Sequence, residues 1–178
     1  KIRKQLEPAD LLFMEEGGRI LLMGGNGLPT IPTTFQPMSG GRVQGNNATV
    51  VYDHPVTRRF PHEGYCDWQF FSMLEGGEAV VFEDLPMPFE PIVELVSGYK
   101  LIRRQASLFE WRVGKGGVMV CAFHMAPSDP GAAYLQRILM RYLASDAFAP
   151  KVRVSAGELE KILETSASVH ADFTTDEG

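Results

Sequence analysis

DLLFMEEGGRILLMGG, residues 10–25, and FEWRVGKGGVMVCAF, residues 109–123, decide the fold between them. Ahead of the first lies Pro8, a residue suited to the opening turn of a helix because that turn has no use for the N–H that proline lacks. Leu6, Leu11, Leu12 and Met14 supply an apolar face for this helix. Gly17 and Gly18 end it, since glycine takes the left-handed cap conformation at little cost. Ile20-Leu21-Leu22-Met23 follows with no polar interruption. A run apolar at every position fits a strand covered on both faces, as in a parallel sheet. In the second stretch, apolar runs at 106–113 and 118–123 flank Gly114-Lys115-Gly116-Gly117. Glycines supply the positive φ that tight turns demand, so this connection predicts an antiparallel hairpin.

Outward from these two stretches the pattern is of short elements. Residues 49–52, 79–82 and 92–96 read as strands, and 68–74 as a short helix. Leu135, Ile138, Leu139, Tyr142 and Leu143 recur at helical spacing and predict a helix over 132–143. A second amphipathic helix is predicted over 155–165, with Leu159, Ile162 and Leu163 inward and Ser155 and Glu158 forming a capping box. Residues 28–47 are rich in Pro, Gly, Thr and Asn and read as a long irregular excursion. The fold these elements predict is α/β, three-layered and flavodoxin-like, with a mostly parallel sheet extended by a C-terminal antiparallel hairpin. Residues 1–150 form the domain, and 151–178 a C-terminal helix and polar tail.

Composition narrows the function. The chain has 178 residues, 44% of them hydrophobic and 22% charged, enough for one domain with a substantial core. Its formal net charge of −5 argues against a nucleic-acid partner, which calls for a basic face. No apolar run approaches the roughly 20 residues that span a bilayer, so no membrane partner is expected. The two cysteines, Cys66 and Cys121, stand outside any CxxC pair and do not imply a zinc ribbon.

Candidate chemistry is sparse. Asp53, His54, His62 and Glu63 crowd one loop, a combination that can ligate metal, but their spacing matches no established motif. Glu63, Asp67 and Glu110 are carboxylates of the kind glycosidases use in pairs, roughly 5 to 10 Å apart. Ion pairing of Asp67 or Glu110 with Arg103, Arg104 or Arg112 is the expectation, because guanidinium binds carboxylate through two bonds. Tyr65, Trp68, Phe70 and Phe71 form an aromatic stretch expected to pack in the core or between domains, with at least some of the four turned inward. The glycines at 24, 25 and 27 and those at 114–117 fit neither nucleotide fingerprint and read as turns, so no cofactor is expected.

FPHEGYCDWQFF at 60–71, IRRQASLFE at 102–110 and RVGK at 112–115, with the helix–Gly-Gly–strand element before them, carry a family resemblance. They resemble the class-I glutamine-amidotransferase-like, flavodoxin-like domain attached to multidomain bacterial glycoside hydrolases, which is similar to the trimerisation domain of some β-galactosidases. The resemblance runs from about Leu6 to Pro150 and implies that the front of the domain is missing or lies upstream of Lys1. It implies a non-catalytic accessory or oligomerisation domain, with other domains of the same polypeptide, further copies of itself, or carbohydrate as partners. A periplasmic or extracellular location is implied in the same way. True amidotransferases use a Cys–His–Glu triad. Here Cys66 lacks the preceding strand and sharp turn of an activated nucleophile, and the position two residues after His124 is Ala126 instead of Glu. A thiol hydrolase using Cys66 and His124 is therefore the first alternative. A carbohydrate-binding module using Tyr65 and Trp68 is the second.

Overall fold

A computed structural model describes residues 1–35, 46–98 and 102–173, so part of the irregular stretch expected over 28–47 and the last five residues lie outside it. Among the described residues, one mixed sheet holds eight strands. These are β1 (Ile2–Arg3), β2 (Arg19–Met23), β3 (Thr30–Pro32), β4 (Asn46–Val51), β5 (Glu78–Val81), β6 (Pro91–Ser97), β7 (Arg104–Val113) and β8 (Gly116–Cys121). The α-helices are α1 (Pro8–Glu15), α2 (Phe71–Leu74), α3 (Pro130–Ala144) and α4 (Ala156–Phe173).

The expectation of a mostly parallel, flavodoxin-like sheet is overturned. Among the described strands, only β1–β2 and β2–β8 pair in parallel. The pairings β3–β5, β4–β6, β5–β7, β6–β7 and β7–β8 are antiparallel. The reason lies in the connections. A parallel neighbour needs a crossover of about a dozen residues or more, usually a helix. Between β4 and β8 the chain contains only short helical pieces, Thr57–Arg59, Trp68–Phe70 and α2, so successive strands double back. The β1–α1–β2 unit is one such crossover, and α1 and β2 are the helix and strand read from the first quoted stretch. The run Ile20–Met23 is indeed covered on both faces, but so is β8, which lies in an antiparallel hairpin.

Side chains alternate across this sheet. Ile20, Leu22, Val118 and Val120 share a core with Leu11 and Met14 of α1 and Leu159 and Ile162 of α4. Leu21, Met119 and Cys121 face the other way and share a core with Leu135, Ile138 and Leu139 of α3. Val152 and Val154 belong to the first core, and their backbone bonds to Arg112 along the edge of β7.

The two quoted stretches meet in space. The hairpin turn places Gly114 at φ +57, where a Cβ would lie 2.5 Å from the Cα of Glu15 at the end of α1. A Cβ on Gly116 would overlap the carbonyl oxygen of Gly18. Lys115 N–H donates to the Glu15 carbonyl at 3.2 Å, and Gly117 N–H to that of Gly18 at 3.1 Å. The glycines thus serve close backbone approach as well as turn geometry.

Both long helices carry side-chain caps. The Asp129 carboxylate accepts from Gly131 N–H at 2.7 Å and Ala132 N–H at 3.3 Å at the start of α3. At the start of α4, Glu158 N–H donates to Ser155 Oγ at 3.2 Å while Glu158 Oε2 accepts from Ser155 N–H at 2.8 Å, the expected capping box.

Candidate functional sites

A cleft opens where β7 changes partners. Phe109 pairs with Pro91 of β6, whereas Arg112 is met by Arg153, and Glu110 falls between the two. Because Phe109 and Trp111 point into the α1/α4 core, Glu110 points to the α3 side, where Tyr142 meets it. The cleft has a volume of about 850 Å³ and is bounded by the loop after β4, by β6 and by residues 147–152.

Its polar groups are mostly spoken for. Arg58 clamps Asp53 through two bonds of 2.5 and 2.6 Å, which holds the Asp53 carboxyl below the usual range. Tyr52 donates its hydroxyl to Glu94 Oε2 at 2.5 Å, and that bond pushes the phenol up to about 12. Tyr142 donates to Glu110 Oε1 at 3.1 Å, and its hydroxyl is pushed up first by burial and then by the facing carboxylate. His54 stands edge-on to Tyr142 with ring centroids 4.9 Å apart. Its Nδ1 accepts the Val56 N–H at 3.2 Å, which leaves the ring proton on Nε2. That Nε2 lies 3.6 Å from Glu110 Oε1, with the two side chains 16% and 11% exposed. Glu110 Oε2 is buried and has no hydrogen-bond partner.

A second surface is aromatic. Asp67 accepts the Trp68 N–H at 2.6 Å and starts a single 3-10 turn that runs into α2. The turn throws neighbours to opposite sides. Phe70 is 3% exposed and packs on Phe60 and Phe123, while Trp68 is 71% exposed. Trp68, Phe71 and Phe35 cluster with centroids 5.3 to 6.2 Å apart. Tyr65 is also exposed. Of the expected core or interdomain packing, the core placement holds for Phe70, whereas Trp68 lies outside the core.

The remaining sequence candidates are separated. Cys66 lies in the α3-side core and Cys121 is fully buried, and burial pushes both thiols up to about 12. A thiolate is the reactive form, so neither sulfur is poised as a nucleophile. His124 is exposed beyond β8, and its N–H donates to the Met73 carbonyl at 2.8 Å. Asp129 accepts the Ser72 hydroxyl, which with the Gly131 and Ala132 N–H groups holds its carboxyl low. The expected arginine partners go elsewhere: Arg104 approaches Glu83 at 3.6 Å, and Arg112 Nε donates to the Gly114 carbonyl at 3.4 Å. In the 53–63 loop, His62 Nδ1 accepts the Gly64 N–H at 3.0 Å and Glu63 accepts the Tyr65 hydroxyl at 3.4 Å. Among the described residues, no three His, Cys, Asp or Glu side chains assemble as a metal site.

Sequence reasoning missed the cleft because its parts come from five segments. Tyr142 reads as one more residue of the α3 core stripe, and Tyr52, Glu94 and Lys151 carry no motif. Glu110 had a signal: it is a carboxylate in a strand, ASLFEWRV, whose neighbours are almost all buried.

The molecule is thus a mixed α/β domain with a polar cleft beside β7 and an aromatic face at the start of α2. The chain belongs to the family described as "Domain of unknown function (DUF8487)", whose model matches residues 2–164. No curated protein matches the chain. No helix among the described residues is long and apolar enough to cross a membrane.

Proposed function

We propose that the chain is a non-catalytic accessory domain of a multidomain carbohydrate-active enzyme, a glycoside hydrolase of the β-galactosidase-like kind, and that it supports, orients or oligomerises the catalytic unit. The observation that carries this reading is the cluster that exposed Trp68 and Phe71 form with half-buried Phe35. Large aromatic side chains left at the surface together mark a contact surface. The buried thiols of Cys66 and Cys121, pushed up to about 12, speak for a contact role over a thiol hydrolase using Cys66 and His124. The choice of a carbohydrate-active parent rests on the resemblance of residues 60–71, 102–110 and 112–115.

Hydroxyl-radical footprinting of the natural gene product against the 178-residue chain tests it. Protection of Trp68 in the natural protein, with weakened assembly in Trp68→Ala, supports an accessory face. Equal oxidation of Trp68 in both, with assembly unchanged, rejects it. A second reading, carbohydrate contact through Tyr65 and Trp68, draws on the 71% exposure of Trp68, since an open indole face can stack on a sugar ring. It predicts retention of the isolated chain in glycan affinity electrophoresis and loss of that retention in Trp68→Ala at unchanged stability.

A further inference from the structure

We propose that the aromatic face around Trp68 receives a protein surface that presents arginine. The inference rests on the reading of that face as a contact surface and adds the chemistry of what it contacts. The aromatic part comes first. Trp68 is 71% exposed and Phe71 43%, and the Trp68 ring lies 5.4 Å from that of Phe35 and 6.2 Å from that of Phe71. An incoming group thus meets a broad π surface.

Carboxylates border it. Asp67 immediately precedes Trp68 and accepts its N–H through Oδ1 alone. Glu75 accepts the Phe35 N–H at 2.7 Å through Oε1 alone. Glu63 accepts the Tyr65 hydroxyl only at 3.4 Å, and the charges of Glu63 and then Asp67 push that phenol up. Each of the three keeps an oxygen that the chain does not serve, and among the described residues none of them forms an ion pair. The sequence shows why: no lysine or arginine stands between Arg59 and Lys100, and all three carboxylates fall inside that stretch. Arg58, just ahead of it, is clamped to Asp53.

An apolar partner would strip water from these carboxylates and give them nothing in return, which is costly. A second copy meeting through the same face would set acid against acid. A guanidinium answers both halves of the surface. It stacks flat on an indole ring and donates two parallel bonds to a carboxylate. Lysine offers a point charge without the flat face, so the geometry favours arginine.

The 178-residue chain is titrated with a short capped peptide of alternating glycine and arginine, and with its citrulline counterpart, which is neutral and of nearly the same shape. NMR follows the two indole N–H signals, Trp68 at the face and Trp111 in the core. Saturable binding of the arginine peptide is expected, with Trp68 moving, Trp111 still, and the citrulline peptide weaker by about tenfold or more. The triple variant Glu63→Gln, Asp67→Asn, Glu75→Gln keeps the acceptors for the Trp68 and Phe35 N–H groups and should lose about tenfold or more in affinity. Glu16→Gln, Glu160→Gln and Glu164→Gln together make the same change of charge at exposed sites elsewhere and should leave binding as it is. If the first variant fails to fold, the difference between the two peptides still decides. No saturable binding, equal binding of the two peptides, shifts that map away from Trp68, or equal loss in both triple variants would overturn the proposal. Lactose binding at Trp68 as tightly as the arginine peptide would make the face a sugar platform and overturn it as well. Footprinting of the natural gene product separates this proposal from the reading beneath it. Trp68 protected there, with assembly unchanged in the first triple variant, keeps the contact face and removes arginine from it. Trp68 oxidised equally in both proteins, with the arginine peptide bound as expected, keeps the arginine site and removes the accessory role.

Discussion

A single residue separates Trp68 from Phe70, yet one lies open to solvent and the other inside the α3-side core. Their substitution effects should differ accordingly. Phe70→Ala removes a packed ring and should cost about 3–5 kcal/mol. Trp68→Ala should stay within about 0.5 kcal/mol, as exposed substitutions do. Urea denaturation of the two variants measures both, and a large loss in Trp68→Ala would mean that the indole is a core anchor. The sequence announces four aromatic residues at 65–71 but not which of them turns inward, because a 3-10 turn entering a four-residue helix has no repeat to read. Glu110 was legible as a charge in an apolar strand. Its partners were not, since Tyr142 and His54 reach it from distant segments.

Among the elements, the capping box of α4 and the hairpin were written locally and are found where the sequence places them. Strand direction was not. The apolar runs Ile20–Met23 of β2 and Val118–Cys121 of β8 record cover on both faces, and direction follows from the connections. β1 has two residues and β3 ends in Pro32, so neither offers a strand pattern long enough to recognise. The hairpin glycines support a second prediction. Gly116→Ala sets a methyl group against the Gly18 carbonyl and backbone at Met14, atoms that cannot step aside. It should destabilise by about 1–3 kcal/mol or more, read as a lower denaturation midpoint, whereas Gly157→Ala, where no atom lies within 4 Å, should not destabilise. The α3 cap supports a third. The folded Asp129 carboxyl sits below its ordinary range, so its contribution is complete above that range and fades as pH falls through the folded value. Asp129→Ala should therefore cost about 0.5–2 kcal/mol at neutral pH. The gap to the unaltered protein should narrow on acidification, and a gap independent of pH would remove the carboxylate from the account.

At the scale of the molecule, the sheet is covered from both sides by segments far apart in sequence. α1 and α4 cover one face and α3 the other. Leu159 is fully buried although the helix carrying it lies beyond residue 150. Leu159→Ala should cost about 2–5 kcal/mol. Truncation after Pro150 should remove Val152, Val154, Leu159 and Ile162 from the same core, leaving a chain that binds a hydrophobic dye and lacks a cooperative thermal transition. A truncated chain with a sharp transition would show that residues 151–178 are dispensable.

The nesting of residues 15–18 against 114–117 also sets an order of events during synthesis. β2 leaves the ribosome well before β8, and its partners are β1, two residues long, and β8. Its four apolar residues must therefore wait, largely unpaired, while nearly a hundred further residues are made, a long-range closure of the kind that slows folding and invites aggregation. Nascent chains arrested before β8 emerges should be open to protease within β2. Chains arrested far enough downstream to free β8 and α3 should gain protection. On this account the antiparallel part assembles around β7 as it appears, and β2, made long before it, is among the last strands to find its place.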